Sequence, residues 1–269
     1  MIVFPNAKIN LGLYITEKRS DGFHNLESIF YPVDWKDILE ITPSKTLSFT
    51  STGIDIPSST SDNLCTQAYK LLQQDHDIPP VDIHLHKMIP IGAGLGGGSA
   101  DASFTLKALN ELFKLELSNE NLIIYAQQLG SDCAFFIENK ATFAYEKGDH
   151  FKTLDLDLSS YWIKLINPNI HISTKEAYAG VYPNTAGYNL TELTDMFIHE
   201  WKLYLQNDFE KSIFPNHPDI EEIKENLYHE GALYASMSGS GSTVYGIFQQ
   251  EPSANSNDNN YQIKIAKMM

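Results

Sequence analysis

The sequence predicts an α+β fold in two parts, and three observations predict it. Strand-like and helix-like segments mix in both halves without a regular βαβα rhythm. A length of 269 residues suits one large domain or two of moderate size. Hydrophobic residues make up 42% of the chain, enough for a substantial core. A boundary near Gly148 to Ser160 divides the chain into an N-terminal domain of residues 1–152 and a C-terminal domain of residues 153–269.

Each element follows from a local pattern. Ile2 to Thr16 alternates loosely and is rich in β-formers, a strand interrupted near Pro5. Ser28 to Val33, Ile38 to Pro43 and Leu47 to Ser51 read as further strands. Asp62 to Gln74 reads as a helix, with Leu64, Ala68, Leu71 and Leu72 on one side. Val81 to His86 alternates, so His84 and His86 fall on the outer face of a strand. Ser99 can cap the next helix, where Ala102, Leu106, Leu109 and Phe113 recur at helical spacing. Asn121 to Leu129 is a helix stopped by Gly130, and Phe143 to Tyr145 is a short strand.

In the second part Trp162 to Ile166 is a strand broken by Asn167-Pro168-Asn169. Leu190 to Leu205 contains helix. Asp219 to His229 is a helix through Ile220, Ile223 and Leu227 that ends at Gly231. Ser236 to Ser238 and Thr243 to Phe248 are strands on either side of a glycine turn, Gly239-Ser240-Gly241. Glu251 to Asn260 is a polar loop or hairpin tip, and Tyr261 to Ala266 is a closing strand.

Composition excludes several functions. A formal net charge of −15 argues against a general binder of nucleic acid or anionic membranes. Arg19 is the one arginine among 19 Lys and Arg residues, so lysines, backbone amides and Mg²⁺ would have to bind phosphate. Two cysteines, Cys65 and Cys133, make neither a disulfide framework nor a zinc site. With no signal-peptide core at the start and no run of 18 apolar residues, the expectation is a cytoplasmic protein that takes a small molecule. Its oligomeric state is not legible.

The densest signal is the run Pro90, Ile91, Gly92, Ala93, Gly94, Leu95, Gly96, Gly97, Gly98, Ser99 and Ala100, between a strand and a helix. Glycines are costly unless the backbone must bend sharply or approach a ligand closely. A helix start offers unpaired N–H donors and partial positive charge, which suit a phosphate group. The Walker A template G-x-x-x-x-G-K-S/T fails at Gly98, where its lysine should be. The dinucleotide template G-x-G-x-x-G is met formally by Gly92, Gly94 and Gly97. Its acidic partner would be Glu111, which lies inside the helical pattern, so the run reads as a phosphate loop of a third kind.

Two further segments carry chemistry. Lys8 and Asn10 are two apart on a strand, so their side chains face the same way. Asp132 sits at a turn after a helix, in Leu129-Gly130-Ser131-Asp132-Cys133-Ala134-Phe135-Phe136, where it also reads as a helix cap. With the glycine run and Met237-Ser238-Gly239-Ser240-Gly241-Ser242, these segments resemble the three motifs of the GHMP superfamily of galactokinase, homoserine kinase, mevalonate kinase and phosphomevalonate kinase. The resemblance spans nearly the whole chain. Within the superfamily it points to the 4-diphosphocytidyl-2-C-methylerythritol kinases of the non-mevalonate isoprenoid pathway. The matching segments are Ala7-Lys8-Ile9-Asn10-Leu11, Arg19-Ser20-Asp21-Gly22-Phe23-His24, the loop from Pro90 to Ser99, and L-G-A/S-D-V-P-F-F from Leu129 to Phe136. Cys133-Ala134 replaces Val-Pro in the last, which removes a proline that would stiffen the turn.

The resemblance implies the two-domain GHMP fold, an N-terminal domain like domain 2 of ribosomal protein S5 and a ferredoxin-like α+β C-terminal domain. It implies phosphorylation of the 2-hydroxyl of a cytidine diphosphate alcohol by ATP, whose phosphates lie over Gly94 to Ser99. Asp132 would accept or orient the hydroxyl proton. Lys8 would hold Asp132 ionised and stabilise charge on the transferring group, and Asn10 would orient the substrate or Asp132. Phe23 and Tyr178 would form the two faces of the cytosine site, with His24 at the polar edge of the base. Lys87 and Asn63 are candidates for the adenine pocket. Mg²⁺ is expected to bridge the ATP phosphates; no ligand is assigned to it, with Ser99 and Asp101 as candidates. The alternatives are a sibling kinase for mevalonate or homoserine, an oxidoreductase using the formal G-x-G-x-x-G, and a non-catalytic nucleotide sensor.

Overall fold

The structure is a computed structural model that describes residues 1–57, 63–254 and 260–269. The expected helix start at Asp62 and half of the Glu251 to Asn260 tip, residues 255–259, lie outside the described residues. The described strands are β1 (Ile2–Val3), β2 (Asn6–Lys18), β3 (His24–Lys36), β4 (Ile38–Pro43), β5 (Ser48–Gly53), β6 (Val81–Lys87), β7 (Thr142–Tyr145), β8 (His150–Thr153), β9 (Trp162–Asn167), β10 (Tyr234–Met237), β11 (Val244–Phe248) and β12 (Gln262–Lys267). The helices are α1 (Leu64–Asp75), α2 (Gly97–Leu112), α3 (Asn119–Leu129), α4 (Phe135–Glu138), α5 (Thr174–Ala179), α6 (Trp201–Tyr204), α7 (Glu210–Ile213) and α8 (Pro218–His229).

The chain forms two compact units that interleave in sequence. The first holds Met1–Ala7, Trp35–Ile91 and Gly96–Asn139; the second holds Lys8–Asp34, Gly92–Leu95 and Lys140–Met269.

In the first unit one sheet runs β1-β4-β6-β5, with β5 parallel to β6 and the other pairs antiparallel. In β6 the side chains of Val81, Ile83, Leu85 and Lys87 are buried and alternate with Asp82, His84 and His86, as the pattern predicts. Helix α2 packs against α1, α3 and α4, burying Ala100, Ala102, Leu106 and Leu109. Its start differs from expectation. The helix begins at Gly97 and is capped by Gly96 at φ +68°, so Ser99 lies in the first turn and is not the cap. A left-handed glycine turns the chain straight into the helix, and no capping side chain is used.

The second unit has two sheets, ordered β2-β3-β7-β8 and β10-β11-β9-β12. In the latter β9 pairs with both β11 and β12, Ile166 facing Val244 on one side and Ile263 on the other. Helix α8 lays Ile220, Ile223 and Leu227 into a core with Ile166, Ala235, Met237, Val244 and Phe248. The expected helix in Leu190 to Leu205 is broken up. Leu190–Asp195 and Ile198–Glu200 are 3₁₀ turns, and only Trp201–Tyr204 is α-helical. Leu190 and Leu193, three apart and both buried, eclipse on a 3₁₀ turn and share one anchor point.

Candidate active site

The glycine run alternates in backbone hand. Gly92, Gly94 and Gly96 have φ of +64°, +77° and +68°, whereas Ala93 and Leu95 between them do not enter the left-handed region. Backbone that alternates in this way turns successive N–H groups toward one side, a concavity that binds anions. It then opens onto the N-terminus of α2, a 16-residue helix. Gly94 cannot be replaced without strain. Besides its positive φ, a Cβ there would run into the carbonyl oxygen of Ser238. Ser238 also donates its hydroxyl to the Gly94 carbonyl at 2.8 Å, so the C-terminal glycine turn holds this part of the loop.

Lys8 is 4% exposed. Its ammonium donates to Oδ1 of Asn10 at 2.7 Å and lies 4.5 Å from the centre of the Phe30 ring. Asn10 Nδ2 donates to the Ser28 hydroxyl at 2.8 Å, which in turn donates to the Gly12 carbonyl at 2.6 Å. The Asn10 amide is therefore oriented at both ends, and its partners are Lys8 and Ser28. Its expected part, orienting substrate or Asp132, gains a more immediate one: it fixes the ammonium. Ser28 gave no signal in the sequence, because a lone serine in a buried strand is usual.

Asp132 lies in the turn between α3 and α4 and is half-buried. Gly130 is the C-cap of α3, which leaves Asp132 beyond the helix end and not its cap. The Ser103 hydroxyl of α2 donates to the Cys133 carbonyl at 2.6 Å, and Phe136 N donates to the same oxygen at 3.1 Å. These bonds fasten the turn without the family's proline. Cys133 is fully buried, with burial pushing its thiol up to about 11, so it is a core residue and no nucleophile.

The residues expected around a cytosine are arranged differently from expectation. Phe23 is 63% exposed, and the ring stacked on Tyr178 is that of His24, at 4.7 Å between centres and 25° between planes. Phe209 meets Tyr178 edge-on at 4.8 Å. Rings 4.7 Å apart leave no space for a third, so His24 holds the face of Tyr178 that Phe23 was expected to share. Desolvation, then the charge of Lys18, holds the His24 imidazole below its usual pKa of 6.5, so it is neutral at pH 7. Arg19 is spent inside this turn: it meets Asp21 at 3.1 Å and Asn25 at 3.0 Å, and Asp21 accepts the Phe23 amide.

The two adenine-pocket candidates have structural partners. Asn63 caps α1, its side chain accepting from Cys65 N at 2.9 Å. Lys87 is buried between Asp37 and Asp101, 2.6 Å from each. Asp101 is 3% exposed and bound to that lysine, which removes it as a metal ligand. Among the described residues no cluster of three His, Cys, Asp or Glu could hold a metal ion, and no helix is long and apolar enough to cross a membrane.

Comparison with known proteins agrees with this architecture. The GHMP kinases N terminal domain family matches residues 63–140, and the GHMP kinases C terminal family matches residues 195–256. A 4-diphosphocytidyl-2-C-methyl-D-erythritol kinase of Cytophaga hutchinsonii is 52% identical over 270 residues, covering 100% of both chains. One of Bacteroides thetaiotaomicron is 54% identical over 255 residues, 93% of each. A crystal structure of a 4-(cytidine 5'-diphospho)-2C-methyl-D-erythritol kinase superposes with a TM-score of 0.78 at 29% identity, covering 92% of this chain and 90% of that one. Half its residues shared from end to end, on the same fold, with Lys8, the glycine run and Asp132 all present: this chain belongs to the 4-diphosphocytidyl-2-C-methyl-D-erythritol kinases of the GHMP kinase family.

Proposed function

We propose that the protein transfers the γ-phosphoryl group of Mg-ATP to the 2-hydroxyl of 4-diphosphocytidyl-2-C-methyl-D-erythritol. The observation that carries this reading is likeness at half identity over the full chain to enzymes of that name. The alternating glycine backbone at the start of α2 supports it, because it suits the phosphates of a nucleotide. Mg²⁺ is taken to arrive with the nucleotide.

In this reading the substrate hydroxyl attacks the γ-phosphorus in line. Asp132 accepts the hydroxyl proton or orients it, which typically contributes about 10²–10⁴-fold. Lys8, held by Asn10, stabilises the charge on the transferring group. Tyr178 and His24 supply aromatic surface and a neutral imidazole for the cytosine, with Phe23 at the exposed rim. The division at residues 152 and 153 is kept as the boundary of the two family halves, since the matched spans 63–140 and 195–256 fall on either side of it. The protein is taken to act in the cytoplasm on a small molecule, without nucleic acid.

ADP release tests the proposal, with the cytidine substrate beside mevalonate and homoserine, and with Asp132→Asn as control. Turnover with the cytidine substrate alone, lost in the variant, is the expected result. Turnover with mevalonate or homoserine would move the chain to a sibling kinase. ATP binding without turnover of any of the three would favour the sensor reading.

A further inference from the structure

Three buried charges in the first unit surround the backbone that enters and leaves the glycine run. Asp37, between β3 and β4, is fully buried. Its Oδ1 accepts the backbone N–H of Met88 at 2.6 Å and of Ile89 at 2.8 Å, the two residues before Pro90. Its Oδ2 accepts from Lys87 Nζ at 2.6 Å. The same ammonium donates to Oδ2 of Asp101, on the second turn of α2, also at 2.6 Å. Lys87 passes close against the helix start: a Cβ at Gly97 would sit 3.0 Å from Nζ and 2.9 Å from Cγ2 of Ile89. One ammonium thus ties the strand end before the run to the first two turns of the helix after it.

The charges do not balance. One cation faces two carboxylates, all nearly excluded from water, and Oδ1 of Asp101 has no hydrogen-bond partner. Burying an incompletely paired carboxylate lowers stability. Lys87 already has Asp37, so a neutral residue at 101 would leave a balanced ion pair. A buried acid with one unpartnered oxygen, placed where the nucleotide loop begins, calls for a role in function.

We propose that Asp101 is a positioning residue for nucleotide binding: through Lys87 and Asp37 it sets the backbone at both ends of the glycine run. This rests on the reading of that run as the ATP phosphate site. Burial, and then Asp37, push the Asp101 carboxyl up to about 7, whereas the attraction of Lys87 opposes the rise. Burial would lower Lys87, but the two carboxylates outweigh it and hold the ammonium charged. The other titratable group acting on the cluster is the Cys65 thiol of α1, which burial keeps protonated. Asp101 is therefore the member that changes charge near neutral pH. Protonating it releases the pull on Lys87 from the helix side.

Asp101→Asn tests the proposal, because it keeps the shape and removes the charge. At pH 8 the KM for ATP is expected to rise about tenfold, the scale of one charged hydrogen bond. The kcat, the KM for the alcohol substrate and the melting temperature should not fall. As pH drops below about 7 the wild-type residue gains its proton, so the ratio of variant to wild-type KM should shrink toward one. ATP's own titration cancels in that ratio.

An unchanged KM for ATP, or a joint loss of kcat and melting temperature, would overturn the role. Should the variant fail to fold, amide exchange at Met88 and Ile89 in the wild type decides. Protection, corrected for intrinsic rate, should weaken between pH 8 and pH 6; constant protection overturns the proposal. Wild-type protein that turns over no ATP would sink the functional reading, and the exchange measurement would still judge the strut.

Discussion

Lys8 is held in place by a chain of side chains that ends on a backbone carbonyl. Asn10 Oδ1 receives the ammonium, Asn10 Nδ2 leans on Ser28, and Ser28 on Gly12. Removing the Ser28 hydroxyl leaves the Asn10 amide and the Gly12 carbonyl short of a partner inside the protein. A buried unsatisfied group costs about 1–3 kcal/mol. Ser28→Ala is therefore expected to lower both melting temperature and kcat, whereas Ser28→Thr, which keeps the hydroxyl, should retain more of each. Equal loss in the two variants would mean that space at position 28, and not the hydroxyl, decides.

Tyr178 and His24 give two more outcomes at the same scale. Tyr178 backs the His24 ring, and an aromatic pair of this kind is worth about 0.5–1.5 kcal/mol, so Tyr178→Ala should raise the KM for the cytidine substrate by about 2- to 10-fold through loss of that support. It should leave the KM for ATP alone. His24 is neutral at pH 7 and gains a proton only below its usual pKa of 6.5. The substrate KM should accordingly rise as pH falls toward 5, and His24→Gln should flatten that rise. The D-G-F-H segment and the Tyr178 spacing single these residues out, but the sequence does not show how their rings lie against one another. Which ring stacks on which depends on Phe209 and on the Arg19–Asp21–Asn25 turn, and on no local pattern.

Among the elements, those with a clear period were the most legible. Ile38 to Pro43 forms a strand with the bounds its alternation predicts, and Asn121 to Leu129 lies within α3 (Asn119–Leu129). The short pieces were not: α4 and β8 have four residues each, too few to show a period. The helix start at Gly97 was obscured because a left-handed glycine can do what a serine cap does. Replacing Gly94 is therefore severe. An L-residue pays about 1–2 kcal/mol in the left-handed region, before the clash with Ser238 is counted. Gly94→Ala should weaken ATP binding and lower the melting temperature together. At α3, by contrast, Ser118 forms a capping box with Asn121. Ser118→Ala should lose about 1 kcal/mol of stability and keep full kcat, as thermal melts and steady-state rates would show.

Over the whole molecule, the order of the chain and the order of its packing differ. The second unit recruits Lys8–Asp34 from near the N-terminus to Lys140–Met269. The Asp37–Lys87–Asp101 cluster likewise joins residues 50 and 14 positions apart, which is why no motif announced it. Net charge acts at this scale too. At −15 the protein repels ATP and a cytidine diphosphate at long range, and salt screens the repulsion. Raising ionic strength from about 0.01 to about 0.15 M shortens the screening length from about 30 to 8 Å, so kcat/KM for both substrates should rise. A fall would mean that local positive charge at the loop dominates the approach.

The two cysteines have a practical consequence. Cys65 and Cys133 are both fully buried, and burial keeps both as thiols at neutral pH. Maleimides, iodoacetamides and mild oxidants need an exposed thiolate, and the folded enzyme offers them none. One cysteine introduced at an exposed position such as Leu203 would take a fluorophore or spin label alone, with the native pair left in place. For the same reason, covalent inhibitors that carry a thiol-seeking group have nothing to capture on this kinase.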